Sequence, residues 1–316
     1  MSYKPFTLKA ALELASPPTW AASIGPVLVA GAAAFTYNDL VPFNLDLRAL
    51  VAWVLMLLIA VLMQSAVNSL NDYHDFCAGT DTAETILDET DASIVYNSID
   101  PKAALRFGLA LLAVAAVCGV VVMLISRWYL LPIGVLGALV VVLYSFGPKP
   151  ISYLPLGEAV SGLVMGGMIT AATYIALTLS FTPLMLVVAV PPFLTIAQIM
   201  LTNNTCDIDR DIIAGRQTLA IALGARRARL FAGGLAVFTL LWMGVISFLF
   251  WIIALITTAI TAILGHGLIR RLAAGPYNTV NRGRMMKTAT SWCWLVNVCW
   301  AFGLFAAGLI KMVGFA

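Results

Sequence analysis

Apolar residues fall along this chain in long blocks separated by short polar stretches. A helix needs about 20 mainly apolar residues to cross the hydrocarbon core of a bilayer. A window of that length finds nine candidates, near residues 16–36, 49–70, 104–125, 128–146, 156–178, 183–203, 229–247, 249–269 and 290–311. The run from Arg229 to Ile269 must be split once, and a break near Ser247 is expected. As one helix it would reach ~60 Å, beyond any plausible hydrocarbon thickness. The expectation is an all-α, polytopic membrane protein with nine transmembrane helices.

Composition agrees. Of 316 residues 61% are hydrophobic and 10% charged, with mean hydropathy +0.97. A soluble domain of this length needs far more charge to cover its surface. Met1 to Leu14 is short and mildly amphipathic and runs directly into the first apolar block, so a retained helix is expected there in place of a cleaved signal. A net charge of +3 gives no reason to expect a nucleic-acid partner.

The position of the charges says more than their sum. The N-terminus and the loops after helices two, four, six and eight share one side. They carry 15 of the 18 Lys and Arg residues, leaving Arg48, Arg127 and Lys311 opposite. Basic loops stay in the cytoplasm, so the N-terminus and these loops are expected there, in the cell membrane, with the C-terminus outside. Thirteen of the 15 acids lie on the same side, with only Asp39 and Asp46 opposite. The rule for Lys and Arg does not explain acids, so that face carries chemistry of its own. An Asn/Asp motif closes helix two and another closes helix six. Residues 1–316 are therefore read as one membrane-embedded domain, a pseudo-repeat of helices 1–4 and 5–8 with a ninth helix appended.

In the first motif Asn68, Asp72 and Asp75 are spaced i, i+4, i+7 and share one helix face, with Asn71 and Asp75 also i, i+4. Gly79 permits a turn that can return Asp81 toward the same point. In the second, Asn204, Asp207 and Asp211 are i, i+3, i+7, while Asp209 points away and is expected in solvent. Helix C-termini disfavour negative charge, so two acidic clusters placed there call for a cation. Paired carboxylates with amide oxygens nearby suit Mg²⁺ that keeps part of its shell for water and substrate phosphates. Arg216, Lys149 and Arg106 lie at the same level. Each alone is more often an interfacial anchor contacting lipid head groups; together, one or two are expected to grip a diphosphate, with Lys149 and Arg216 preferred. His74 is read as peripheral and His266 as packing. Tyr144 and Tyr153, around Gly147-Pro148-Lys149-Pro150, fit either an interface belt or the facing of an allylic cation. The five cysteines show no zinc spacing.

These two motifs, with Gly215-Arg216, Tyr144 to Pro150 and Leu156-Gly157-Glu158, resemble the UbiA-type intramembrane prenyltransferases. The nearest branch is that of the 1,4-dihydroxy-2-naphthoate polyprenyltransferases of menaquinone synthesis. The resemblance spans about residues 15 to 311 and implies a nine-helix bundle open to the cytoplasm, with a lateral slot for an isoprenoid tail. It implies catalytic roles for Asp72, Asp75, Asp207 and Asp211, and metal ligation by these four and Asp81, with two Mg²⁺. It places Asn68, Asn71 and Asn204 in the metal-diphosphate shell, and Lys149 and Arg216 on the diphosphate, with Arg106 and Tyr144 as further binding residues. The expected partners are a polyprenyl diphosphate, an aromatic acceptor and the bilayer. Residues 82–100 depart from the branch, holding no basic residue before Lys102. Dihydroxynaphthoate, prenylated with decarboxylation to demethylmenaquinone, is the leading acceptor; hydroxybenzoate, homogentisate, a lipid or a tetrapyrrole are alternatives. A cation-coupled transporter is the non-enzyme reading, but it needs ionisable groups along the bilayer interior.

Overall fold

The computed structural model describes residues 3–37, 46–79 and 93–313. Eight helical segments in it are long and apolar enough to cross a membrane: Pro17–Thr36, Leu47–Ala78, Pro101–Ile125, Gly157–Thr178, Leu184–Cys206, Ala225–Phe250, Ala254–Ala274 and Thr279–Val313. A shorter apolar helix, Leu130–Ser145, stands between the third and fourth of these. Counted with it, the segments match the nine expected, and they are called the first to ninth spans in chain order. At 1.5 Å per residue the fourth span is ~24 Å long, short of a ~30 Å core. A short helix, Leu8–Ala15, precedes the first span.

Local chemistry sets the ends. Asp46 and Asp100 cap the second and third spans, their carboxylates accepting from the backbone N–H of Arg48 at 3.1 Å and of Lys102 at 3.0 Å. Pro101 then fits the first helical turn, where its missing N–H costs nothing. Gly79, at φ +71°, closes the second span. That span runs to Ala78, well past the expected residue 70, so the first acidic motif is helical over Asn68 to Asp75. The break between the seventh and eighth spans follows Phe250, a few residues later than expected. Trp251 leaves helical geometry at φ −151° and buries its indole 6.0 Å from that of Trp300. The fifth span opens α-helically at Gly157–Ser161 and turns π-helical over Gly162–Met168. There the absence of a Cβ at Gly162 and Gly166 lets the backbone of Phe193 approach.

The ninth span, although last in sequence, is central. Trp292, Val296, Asn297, Trp300 and Leu304 are fully buried, and the span packs against the first, sixth and eighth. Leu124, Leu136, Phe248 and Ile263 are exposed on outer faces, as lipid-facing residues should be. At the end away from the acids, Arg48 donates to the carbonyls of Ala176 at 2.7 Å and Leu177 at 2.6 Å. Arg127 donates to that of Leu179 at 2.9 Å. Two of the three basic residues assigned to that side thus cap the C-terminus of the fifth span.

Candidate active site

The ends of the spans that meet the polar loops converge. A cavity of about 1510 Å³ runs inward from them, lined near the mouth by Asn68, Asn71, Asp72, Asn203, Asn204 and Arg216. Deeper, apolar side chains such as Met56, Val122 and Leu130 take over. Sixteen residues separate Asp72 from Met56 on one helix, so the cavity spans ~24 Å along the bundle.

Arg216 ties the two acidic motifs together. Its Nη2 donates to Asp75 Oδ1 at 2.7 Å and its Nη1 to Asp211 Oδ1 at 3.3 Å. Its guanidinium also lies 5.2 Å from the ring centre of Tyr153. The sequence folds this way because Gly215, at φ +72°, turns the chain after the short helix Ile208–Ile213 and swings Arg216 back. Burial alone would lower the guanidinium pKa; Asp75 and Asp211 reverse this and hold it above its ordinary range. Asp211 goes the other way. Burial pushes its carboxyl up to about 6, against the pull of Arg216 and with the repulsion of Asp207.

Asp207 is held by two further arginines. Arg282 Nε donates to Asp207 Oδ2 at 2.8 Å, and Arg210 Nη1 lies 3.6 Å from Oδ1. Arg282 Nη2 also bonds the side-chain oxygen of Asn203. Arg282 lines the cavity, yet no site role was expected for it; its place in the basic loop before the ninth span, and the weak likeness of the Tyr277-Asn278…Arg282 stretch to the family, were the signals. His74, expected at the periphery, is 22% exposed but touches the site, with Nδ1 3.3 Å from Asp75 Oδ1 and its ring edge-on to Phe146 and Tyr153.

The asparagines differ from one another. Asn68 is consumed by structure: its Nδ2 donates to Ala15 O and Thr19 Oγ1, and its Oδ1 accepts from Gln64. Asn71 donates to Asp75 Oδ2 at 3.1 Å and accepts from Ser145. Asn204 donates to Glu158 Oε1 at 2.9 Å. Tyr144 lines the cavity with its hydroxyl 3.9 Å from Met200 Sδ, so it faces inward. Asp209 is exposed, as expected. Two expected cations are not brought in. Arg106 is 76% exposed and bonds Lys102 O and Asp100 at the start of its own helix. Lys149 is exposed and lines no part of the cavity. Asp81 lies outside the described residues, as does most of 82–100.

No three His, Cys, Asp or Glu side chains stand ready-made as a metal cage among the described residues. The positive charge beside these carboxylates comes from arginines: Arg216 bridges Asp75 and Asp211, and Arg210 and Arg282 hold Asp207. The donor set nevertheless suits a hard cation. Asp211 Oδ2 is buried without a hydrogen-bond partner among the described residues, and the carboxylate and amide oxygens of the two motifs are the kind such a cation takes.

The sequence profile of the UbiA prenyltransferase family matches residues 23–290. The chain belongs to that family. It is 34% identical over 216 residues to a 1,4-dihydroxy-2-naphthoate octaprenyltransferase of Bacillus subtilis, covering 68% of this chain and 66%, just under two thirds, of the relative. To an enzyme of the same name from Mycobacterium tuberculosis it is 29% identical over 297 residues, covering 93% and 94%. A solved digeranylgeranylglyceryl phosphate synthase structure superposes with TM-score 0.61 at 22% identity, covering 95% of this chain and 99% of that one. A UbiA homologue from Archaeoglobus fulgidus, bound to GPP and Mg²⁺, does so with TM-score 0.60 at 16% identity, covering 94% and 99%. At such identities these likenesses speak for the fold alone, and the UbiA-type helical bundle expected from the motifs is the fold found.

Proposed function

We propose that the protein transfers a polyprenyl group from its diphosphate to an aromatic acceptor, with Mg²⁺ as cofactor. The observation that carries this is the meeting of two acidic helix ends, 132 or more residues apart in sequence, at the mouth of a deep apolar cavity. A diphosphate fits the charged mouth and an isoprenoid tail fits the walls. Asp72, Asp75, Asp207 and Asp211 would hold the ions, with Asp81 a further candidate, and the count of two is part of the proposal. When bound, Mg²⁺ supplies charge that stabilises the departing diphosphate. The chain's own residues do the rest. Arg216 and Arg282, both on the cavity surface, turn guanidinium donors toward the diphosphate oxygens. The apolar walls keep water from the allylic cation left when the C1–O bond breaks and its electrons go to the diphosphate. Tyr144 offers that cation a π face. An electron-rich ring carbon then forms the new bond to C1.

For the acceptor, 1,4-dihydroxy-2-naphthoate is preferred because both relatives described above carry that name; its carboxyl group would leave as carbon dioxide. The charge asymmetry supports placing the mouth in the cytoplasm. Purified protein given radiolabelled prenyl diphosphate, Mg²⁺ and a panel of aromatic acceptors should label dihydroxynaphthoate. Transfer only to another ring would replace the acceptor. Near-normal activity in Asp72→Asn or Asp207→Asn would refute the metal role.

A further inference from the structure

Of the three asparagines expected around the metal and diphosphate, only Asn204 keeps its amide oxygen uncommitted. Asn68 and Asn71 each have both ends of the amide engaged. Asn204 spends its nitrogen on Glu158 Oε1 at 2.9 Å, and its Oδ1 accepts no hydrogen bond from the described residues. Asn204 lines the cavity, whereas Glu158 does not. The carboxyl group therefore stands behind the amide, at the start of the fifth span and 4% exposed. Its other oxygen, Oε2, is buried with no hydrogen-bond partner among the described residues. A buried carboxyl group left half satisfied is costly.

The two ends of a primary amide are similar in shape, so packing alone selects poorly between its two orientations. A carboxylate selects sharply. It has acceptors only, so it attracts Nδ2 and repels Oδ1. With Nδ2 drawn back onto Glu158, Oδ1 must face forward into the cavity, one helical turn before Asp207 and two before Asp211. We propose that Glu158 is a positioning residue that aims the Asn204 amide oxygen at the divalent cation held with the diphosphate. This rests on the metal-diphosphate reading above and adds an orienting partner that the acidic motifs do not contain. Groups that orient metal ligands from behind typically contribute 10–100-fold in metal affinity.

The test measures binding without turnover. Mn²⁺ is titrated by electron paramagnetic resonance into purified protein with inorganic diphosphate. Glu158→Gln can pair with either end of the amide, so it should weaken Mn²⁺ binding about 10–100-fold, as should Glu158→Ala. The double variant Glu158→Gln with Asn204→Asp restores an oxygen pointing each way, because the new amide can donate into the new carboxylate. It should bind Mn²⁺ at least tenfold more tightly than Glu158→Gln alone. It also keeps the size and shape of the native pair, so it answers the question if Glu158→Ala fails to fold. Wild-type affinity in both single variants would overturn the proposal while leaving the metal-diphosphate reading in place. Absence of Mn²⁺ binding in the wild type would overturn that reading, and this inference with it.

Discussion

Replacing Arg216 with Met removes the charge that joins the two motifs and keeps most of the side-chain volume. Asp75 and Asp211 are 7% and 3% exposed, so both carboxylates would be left buried without their shared counter-ion. Breaking a buried pair by removing one partner costs about 3–5 kcal/mol. The lower end is expected here, because Asp211 has an escape. Its carboxyl is already pushed up to about 6 by burial, and protonating it from neutral pH costs only about 1.4 kcal/mol per unit. The metal-free variant should therefore be about 3 kcal/mol less stable than wild type at pH 7.5, with the deficit shrinking by pH 5.5. Adding Mg²⁺ without diphosphate should stabilise the variant more than the wild type, since the cation takes over the role of the guanidinium between the two carboxylates. Unfolding by SDS in bicelles, followed by circular dichroism, gives these differences directly. Equal stability at pH 7.5 without metal, or a deficit indifferent to both acid and Mg²⁺, would refute the reasoning.

The same carboxyl predicts a pH window for metal binding. Its folded pKa is raised above the unfolded value of about 3.9, so its contribution to metal-free stability is fully present below about 4 and is lost as pH rises through about 6. Metal needs the ionised form, so Mg²⁺ affinity should fall about tenfold per unit below pH 6; calorimetric titration at pH 5 and 7 checks this, and a flat profile would exclude Asp211 as a ligand. Arg282→Gln should raise the KM for prenyl diphosphate about 10–100-fold, the worth of a charged hydrogen bond, while Lys149→Gln should change it less than about threefold; steady-state kinetics of the two variants separates them. Arg48→Ala should lower stability by about 1.5–3 kcal/mol through the loss of two carbonyl bonds, with KM unchanged, as thermal unfolding beside kinetics would register.

Helix periodicity placed Asn68, Asp72 and Asp75 on one face, and Asn204, Asp207 and Asp211 on another, because residues within one helix are related by a fixed rotation. It could not say what packs on those faces. The Asn68 amide meets the turn at Ala15 and Thr19, more than 40 residues upstream, and so is bound before any ligand arrives. Arg282 reaches Asn203 and Asp207 from 79 and 75 residues downstream, a distance no local spacing encodes. Lys149 and Arg106 stand at span ends on the same side of the sequence assignment as the acids, but that does not fix azimuth, and both side chains are exposed. The break after Phe250 was displaced for the same reason: the partner of the Trp251 indole is Trp300, on another span.

Side assignment rests on a count, and the structure changes what is counted. Arg48 and Arg127 are two of the three basic residues on the sparsely charged side. Their guanidinium groups are spent on the carbonyls of Ala176, Leu177 and Leu179 at the C-terminus of the fifth span. That end carries about half a negative charge from the helix dipole, so each arginine there answers a local charge and is not a free loop cation. Once they are set aside, Lys311 is the sole basic residue left on that side of the assignment. The arginines at the opposite end follow the same logic at a larger scale: Arg210, Arg216 and Arg282 pair with carboxylates that would otherwise repel one another across the cavity mouth.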